Sequence, residues 1–257
     1  MEHSNTQTAV LLGVLALFIV FNVLRARRGK ELFIRRIPGV DHIDEAIGRA
    51  TEMGRPLLFS SGLGGLDIIT LQALEVMSHV VRHAARLNTR VLVPVYGGDP
   101  PLFPVVEQVY REAYVAEGKP EAFNPDDVRF LSGDQFAYAS GVMGLMHREK
   151  VAGTFLFGYF AAESLLLAEN GQQVGAIQLA GTPQTDQIPF FVAACDYTII
   201  GEEYWATSAY ISREPVLLGS LVGQDWSKIL IAIIILAGLV LALFYGPNNW
   251  FSLLWKI

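Results

Sequence analysis

The chain has 257 residues, of which 52% are hydrophobic and 17% are charged, and its formal net charge is −6 at pH 7. An acidic chain repels the phosphate backbone, so we expect no nucleic-acid partner. The single cysteine, Cys195, excludes an intramolecular disulfide and gives no sign of an oxidising compartment. The charge fraction is below the roughly 25% that is usual for soluble domains, because two segments of the chain are almost free of charge.

Both uncharged segments are long enough to cross a bilayer. Residues 8–24 contain one strongly polar side chain, Asn22, and residues 229–245 contain none. Seventeen residues is near the lower limit for a spanning helix. A cleaved signal peptide is the alternative for the first segment, but no Lys or Arg precedes it. The sequence therefore predicts transmembrane helices at residues 8–24 and 227–245.

Basic residues indicate the orientation of these two helices. Six follow the first segment closely: Arg25, Arg27, Arg28, Lys30, Arg35 and Arg36. Because basic residues stay on the cytoplasmic side, we expect residues 25–226 to form a cytoplasmic domain at the inner (plasma) membrane. Both termini then lie outside, with residues 1–7 short and exposed. Residues 246–257 carry two tryptophans and should lie in the headgroup layer, so the lipid bilayer is an expected partner.

The middle of the chain alternates between strand and helix patterns. Short apolar runs bounded by Gly, Pro, Asp or Ser predict strands at 57–60, 91–95, 128–132, 154–159, 176–180 and 197–200. Helical patterns occupy 41–53, 66–87, 103–117, 135–148, 161–169, 188–195 and 202–211, and another over 215–225 leads toward the second apolar segment. This alternation predicts a single Rossmann-like α/β domain, with a parallel sheet and helices on both faces.

The loops that follow the strands are the candidate ligand sites, because ligands of open α/β sheets bind beyond the carboxyl ends of the strands. Glycines after the first strand could bring backbone amides close to a phosphate. However, their spacing is not G-x-G-x-x-G, no Lys follows, and Asp67 would repel a phosphate. Each loop also fits an ordinary turn or helix cap. The candidate ligand contacts are Ser61, Gly62, Gly64, Gly65, Gly97, Gly98, Asp99, Thr182, Thr185 and Asp186.

Catalytic and metal-binding patterns are weak. No G-x-S-x-G motif occurs, and Cys195 lies in an apolar run that is typical of a buried small residue. Glu75, His79 and His83 share one helical face, and two histidines at this spacing can hold Zn²⁺. The neighbouring Arg82 and Arg86 disfavour a cation. We therefore interpret this face as an exposed polar surface and predict no catalytic residue, metal or other cofactor.

Five stretches of the sequence carry a family resemblance. They are IPGVDHIDEAIGRATEMGRP, QFAYASGVMGLMHRE, GYFAAESLLLAENG, PFFVAACDYTIIGEE and ISREPVLLGSLVGQDW. They resemble an uncharacterised bacterial family of membrane proteins that carry a domain of unknown function. The resemblance implies the architecture of a membrane-attached domain and assigns no activity or site residue.

We expect the chain to be a membrane-anchored, self-associating scaffold or assembly protein. Small residues one turn apart permit close helix contact within the membrane: Ala9 and Gly13 in the first segment, Gly238 and Ala242 in the second. Candidate contacts in a homo-oligomer are the aromatic residues Phe190, Phe191, Tyr204 and Trp205. The alternative is a membrane-tethered domain that binds or senses a small, nucleotide-like molecule, and an enzyme is the third possibility.

Overall fold

The computed structural model describes residues 6–29 and 37–245. They form two compact units, a pair of long terminal helices and an α/β domain that ends at Ser212. The predicted interfacial tail, residues 246–257, and most of the predicted external N-terminus lie outside the described residues.

The domain is built on one six-stranded parallel sheet, as the alternating pattern predicted. Its strands are β1 (Leu57–Gly62), β2 (Val91–Val95), β3 (Val128–Phe130), β4 (Gly153–Tyr159), β5 (Ile177–Thr182) and β6 (Tyr197–Ile200). Their spatial order is β3-β2-β1-β4-β5-β6, and every neighbouring pair is parallel. The direction in which strands are added reverses between β1 and β4, which makes this the point where ligands bind in open α/β sheets.

Helices cover both faces of the sheet. The helices of the domain are α2 (Pro38–Met53), α3 (Ile68–Arg86), α4 (Leu102–Ala116), α5 (Gln135–Glu149), α6 (Glu163–Gln173), α7 (Ile188–Ala194) and α8 (Glu203–Ser212). One apolar core lies under α2, α3, α4 and α8, and the other under α5, α6 and α7. The strands β1, β2 and β4 are buried on both faces, which is why they are short and mostly apolar in the sequence.

The second unit consists of α1 (Thr6–Arg27) and α9 (Pro215–Tyr245), both long and apolar enough to cross a membrane. The helix α9 is continuous, so the pattern over 215–225 and the predicted membrane helix belong to one element. The two helices pack together antiparallel. Their contact is made by Gly219 and Gly223, where an added Cβ would lie 2.5 Å from the Cα of Val23 and 2.6 Å from the Cα of Ile19.

The pair of glycines that makes this helix contact lies outside the small residues noted in the sequence, whose role in contacts between copies stays a prediction. Gly13 has no atom within 4 Å of an added Cβ, so it lies away from the contact with α9. The G-x-x-x-G motif of GSLVG, at Gly219 and Gly223, takes that role because glycine lets two helix backbones approach closely. Phe18 and Phe21 extend the contact by packing against Trp226, with ring centroids 6.0 and 6.3 Å apart.

Candidate functional site

The loop between β1 and α3 lies where a phosphate would bind, but two amides here, those of Leu66 and Thr70, are already bound to carboxylates. The Asp67 side chain accepts a hydrogen bond from the Thr70 N–H at 2.8 Å and caps α3. Asp99, from the loop after β2, accepts from the Leu66 N–H at 2.6 Å. Amides at a helix N-terminus can bind either an anionic ligand or an anionic side chain. Here the protein supplies the anion itself.

The strands β1 and β4 stay tightly joined at the reversal point of the sheet. The Leu63 N–H donates to the Tyr159 carbonyl at 2.8 Å, so the pairing continues past the end of β1. Gly62 has φ +73° and Gly158 has φ +148°, and a side chain at either would collide with backbone of the other strand. Only glycine adopts these conformations readily. Gly62, the last residue of β1, therefore allows the two strands to approach closely.

A buried polar cluster lies beneath this loop. Glu163, at the start of α6, is fully buried and accepts from the Ala161 N–H at 3.1 Å and from the Gln135 amide at 2.7 Å. On β1, Ser60 pairs with the Tyr138 hydroxyl at 2.8 Å. Burial raises the pKa of Tyr138, so its hydroxyl stays protonated. Each of these buried polar side chains therefore has a hydrogen-bond partner within the domain.

The other predicted ligand contacts fall into two separate places. Gly97 and Gly98, in the loop after β2, pack against Phe130 and Tyr96 respectively. Thr182, Thr185 and Asp186 follow β5, which β4 separates from β1. The structure therefore brings Gly65 against Asp99, and it places the residues after β5 apart from the loop after β1.

The four aromatic residues proposed as interface contacts divide equally between core and surface. Phe191 is buried against Phe160, with ring centroids 5.2 Å apart. Tyr204 is also buried, and its hydroxyl donates to the Ile69 carbonyl at 2.7 Å. These two belong to the core and offer no contact surface. Phe190 is 41% exposed and Trp205 is 36% exposed, so they stay candidates.

The histidines of α3 meet a carboxylate from a different helix than the sequence suggested. Asp44 on α2 places Oδ1 2.7 Å from Nδ1 of His83 and 3.8 Å from Nε2 of His79. Burial lowers the pKa of His79, an effect that the nearby Asp44 opposes. Glu75 does not belong to this group. The three donor atoms of Asp44, His79 and His83 lie within 4.8 Å of one another.

Cys195 has the environment of a structural residue. Burial raises the pKa of its thiol to about 12, and the neighbouring Asp196 carboxylate adds to the effect. A thiol with so high a pKa holds little thiolate at neutral pH, and thiolate is the nucleophilic form.

The profile of a family described as a domain of unknown function, DUF6754, matches residues 1–252. This chain belongs to the DUF6754 family. No curated protein and no solved structure matches the chain. The resemblance to an uncharacterised family is thus confirmed over nearly the whole chain, and the function has to be argued from the geometry.

Three features of this DUF6754 member were not predicted from the sequence. Asp44 is 35 positions from His79, and no local spacing connects them. Gln135 and Tyr138 on α5 reach Glu163 and Ser60 only through the packing of α5 against the sheet. The motif GSLVG was visible, but it precedes the predicted second span, so its role in a helix contact was not inferred.

Proposed function

We propose that this DUF6754 chain is a membrane-anchored scaffold that self-associates through its pair of terminal helices. The observation that carries the proposal is a mismatch in depth between the two helices. Their uncharged segments do not lie side by side, so one hairpin cannot place both in the same layer of hydrocarbon while keeping its polar residues outside it.

The mismatch follows from the glycine contacts. Gly219 faces Val23 and Gly223 faces Ile19, so the antiparallel pairing is known at two points. Extending it at about 1.5 Å per residue places Asp225 level with Leu17. Leu17 is near the centre of the uncharged segment 8–24, whereas Asp225 precedes the uncharged segment 229–245. The two centres are offset by about 16 Å, which is about half of a hydrocarbon core of roughly 30 Å.

Either placement of the hairpin leaves a surface that needs a partner. If α1 is centred, then Asp225 and Lys228, whose side chains are 69% and 52% exposed and lie 3.9 Å apart, face hydrocarbon. A charged residue there costs about 3 kcal/mol on insertion-based scales. If α9 is centred, the exposed side chains of Leu17, Val20 and Phe21 leave the hydrocarbon. A second copy of the chain, packed where Leu17 and Asp225 lie level (the mismatched section), would cover either surface.

Self-association in a membrane needs only modest contacts. Copies held in one bilayer share an orientation and have a high effective concentration. Because they also share one membrane normal, we expect a closed ring with cyclic symmetry. The exposed Phe190 and Trp205 are further candidate contacts on the domain.

The chemistry of the β1–α3 loop supports a scaffold over a nucleotide-binding domain. Asp67 and Asp99 occupy two of the amides that a phosphate could use. A nucleotide would have to displace a carboxylate and then lie beside two negative charges. We also propose, from Arg25, Arg27 and Arg28 after the first apolar segment, that the domain lies on the cytoplasmic side of the plasma membrane.

The test is the size of the full chain in mild detergent and in lipid nanodiscs, measured by mass photometry. We expect one closed oligomer in both. Leu17→Trp should shift the mass to smaller species, because a bulky residue overpacks a close helix contact in the mismatched section. A strictly monomeric wild-type protein in both media would refute the proposal.

Leu12→Trp is the matched control for Leu17→Trp. Leu12 is also an exposed leucine of α1, but it lies level with the uncharged part of α9, where both helices can face lipid. This variant should keep the wild-type mass. If Leu12→Trp disrupts the oligomer and Leu17→Trp does not, the mismatched section is not the contact.

Small-molecule binding is the second candidate, and one observation favours it. The hydroxyl of Thr70 is buried without a hydrogen-bond partner among the described residues, and it lies beside Gly64. A buried hydroxyl without a partner is unfavourable unless something binds it. A thermal-shift screen of nucleotides and metabolites tests this possibility, since a specific ligand raises the unfolding temperature. We expect no shift that depends on Thr70.

A further inference from the structure

We infer that Asp44, His79 and His83 form a binding site for one divalent transition-metal ion of the Zn²⁺ type, at the surface where α2 packs on α3. This site is independent of the self-association proposed above, because none of the three residues belongs to the terminal helices. It also reverses the expectation drawn from the sequence, which paired the histidines with Glu75.

The two helices bring the donor atoms together. His79 and His83 are four positions apart on α3 and therefore project from one face. The packing of α2 adds the Asp44 carboxylate, with Oδ1 2.7 Å from Nδ1 of His83 and 3.8 Å from Nε2 of His79. Bonds of Zn²⁺ to nitrogen and oxygen are about 2.0–2.2 Å long, which separates neighbouring ligands by roughly 3.3 Å in a tetrahedron. The two observed distances lie on either side of that value.

The donor set suits this class of ion. Imidazole nitrogen together with one carboxylate is a ligand combination found for Zn²⁺ and other first-row metals. Three protein ligands leave a fourth position for water. Asp44 is 64% exposed, whereas His79 and His83 are 37% and 28% exposed, so the open position faces solvent on the Asp44 side.

The positive charges that argued against a cation have partners of their own. Arg86 donates to both carboxylate oxygens of Glu117, at 2.5 and 2.8 Å. Arg82 donates to the Ser78 hydroxyl at 2.9 Å. The Glu117 carboxylate offsets the charge of Arg86. With Arg86 paired to Glu117, the site faces less positive charge than the sequence suggested.

The test is a metal titration of the full chain. The protein is purified without a histidine tag, treated with a chelator and titrated with Co²⁺, whose visible absorption reports the coordination of the metal, and Zn²⁺ is then added as competitor. We expect one equivalent of Co²⁺ bound and displaced by Zn²⁺. His79→Ala and Asp44→Asn should each weaken binding by more than about tenfold, since even loss of an outer-shell partner costs that much.

Two control variants separate this site from general histidine binding. His147→Ala removes an exposed histidine that bonds to Asn170 on a different part of the domain, and it should leave binding unchanged. Glu75→Gln should also leave binding unchanged, because Glu75 is not among the three clustered donors. Circular dichroism confirms that each variant is folded. No stoichiometric binding, or binding that survives Asp44→Asn in a folded protein, overturns the inference.

Discussion

The two units of this protein differ in how far they bury their side chains. The α/β domain has an apolar core on each face of its sheet, and its buried carboxylate Glu163 has hydrogen-bond partners within the domain. The hairpin of α1 and α9 has one packed contact, and most side chains of its two apolar segments are exposed or half-buried. The domain therefore buries its apolar groups within itself, whereas the two terminal helices leave most of their apolar side chains outside their mutual contact.

The largest effect on the domain should come from the joined strands at the reversal point. In Gly62→Val, the side chain would collide with the Tyr159 carbonyl, and φ of +73° is unfavourable for a β-branched residue. We expect the free energy of unfolding of the domain to fall by about 3 kcal/mol or more. Urea titration of the full chain in mild detergent measures it.

Gly64→Val should have a smaller effect of the same sign, about 1 kcal/mol or more, because its Cβ would meet the Thr70 hydroxyl instead of backbone. Gly48→Ala is the control, since Gly48 lies within α2 with no atom within 4 Å of an added Cβ. Alanine has the higher helix propensity, so stability should stay equal or rise by up to about 1 kcal/mol. Equal stability of Gly62→Val and Gly48→Ala would contradict the close approach of β1 and β4.

We expect an intermediate loss of stability when Asp99, the carboxylate that binds the loop before α3, is replaced. Asp99→Ala removes the acceptor of the Leu66 N–H, and the loop then loses a charge-assisted hydrogen bond at the start of α3. We expect a loss of about 1–2 kcal/mol in the same urea titration. Asp126→Ala is the control, because Asp126 bonds to Asn124 and Arg129 through its backbone, which alanine retains. A neutral Asp99→Ala would show that Asp99 is not a structural part of the loop.

The smallest effect on the domain should come from breaking the hairpin. Gly223→Leu places a large side chain against the Ile19 backbone and should separate α1 from α9, while the domain keeps its free energy of unfolding within about 0.5 kcal/mol. The helix separation is measured by electron–electron distance spectroscopy between spin labels at Leu12 and Ile231, in a Cys195→Ser background. Gly13→Leu should leave that distance unchanged, since its Cβ position is open. A destabilised domain in Gly223→Leu would mean that the two units depend on each other.

Local patterns were sufficient for the fold because each element carries its own signal. The apolar runs at 57–60 and 91–95 became β1 and β2 because strands buried on both faces need continuous apolar sequence. The third predicted strand, 128–132, ends at Phe130 in the structure, although backbone hydrogen bonds still join Leu131 to Val95 and Ser132 to Gly97. The uncharged terminal segments were equally clear, since length and composition alone decide whether a helix can span a bilayer.

Which residues meet at each candidate site depends on the tertiary structure. In sequence, Asp99 is a free acceptor after a strand, and only the neighbouring positions of β1 and β2 bring it to the Leu66 amide. Helical spacing placed Glu75 near His79, but the packing of α2 brought Asp44 to the two histidines instead. Sequence periodicity acts over one turn or one strand, while a hydrogen bond or a ligand set joins residues that are distant in the chain. For this protein the sequence determined which elements form and which of them can enter a membrane, and the packing of those elements determined which side chains meet.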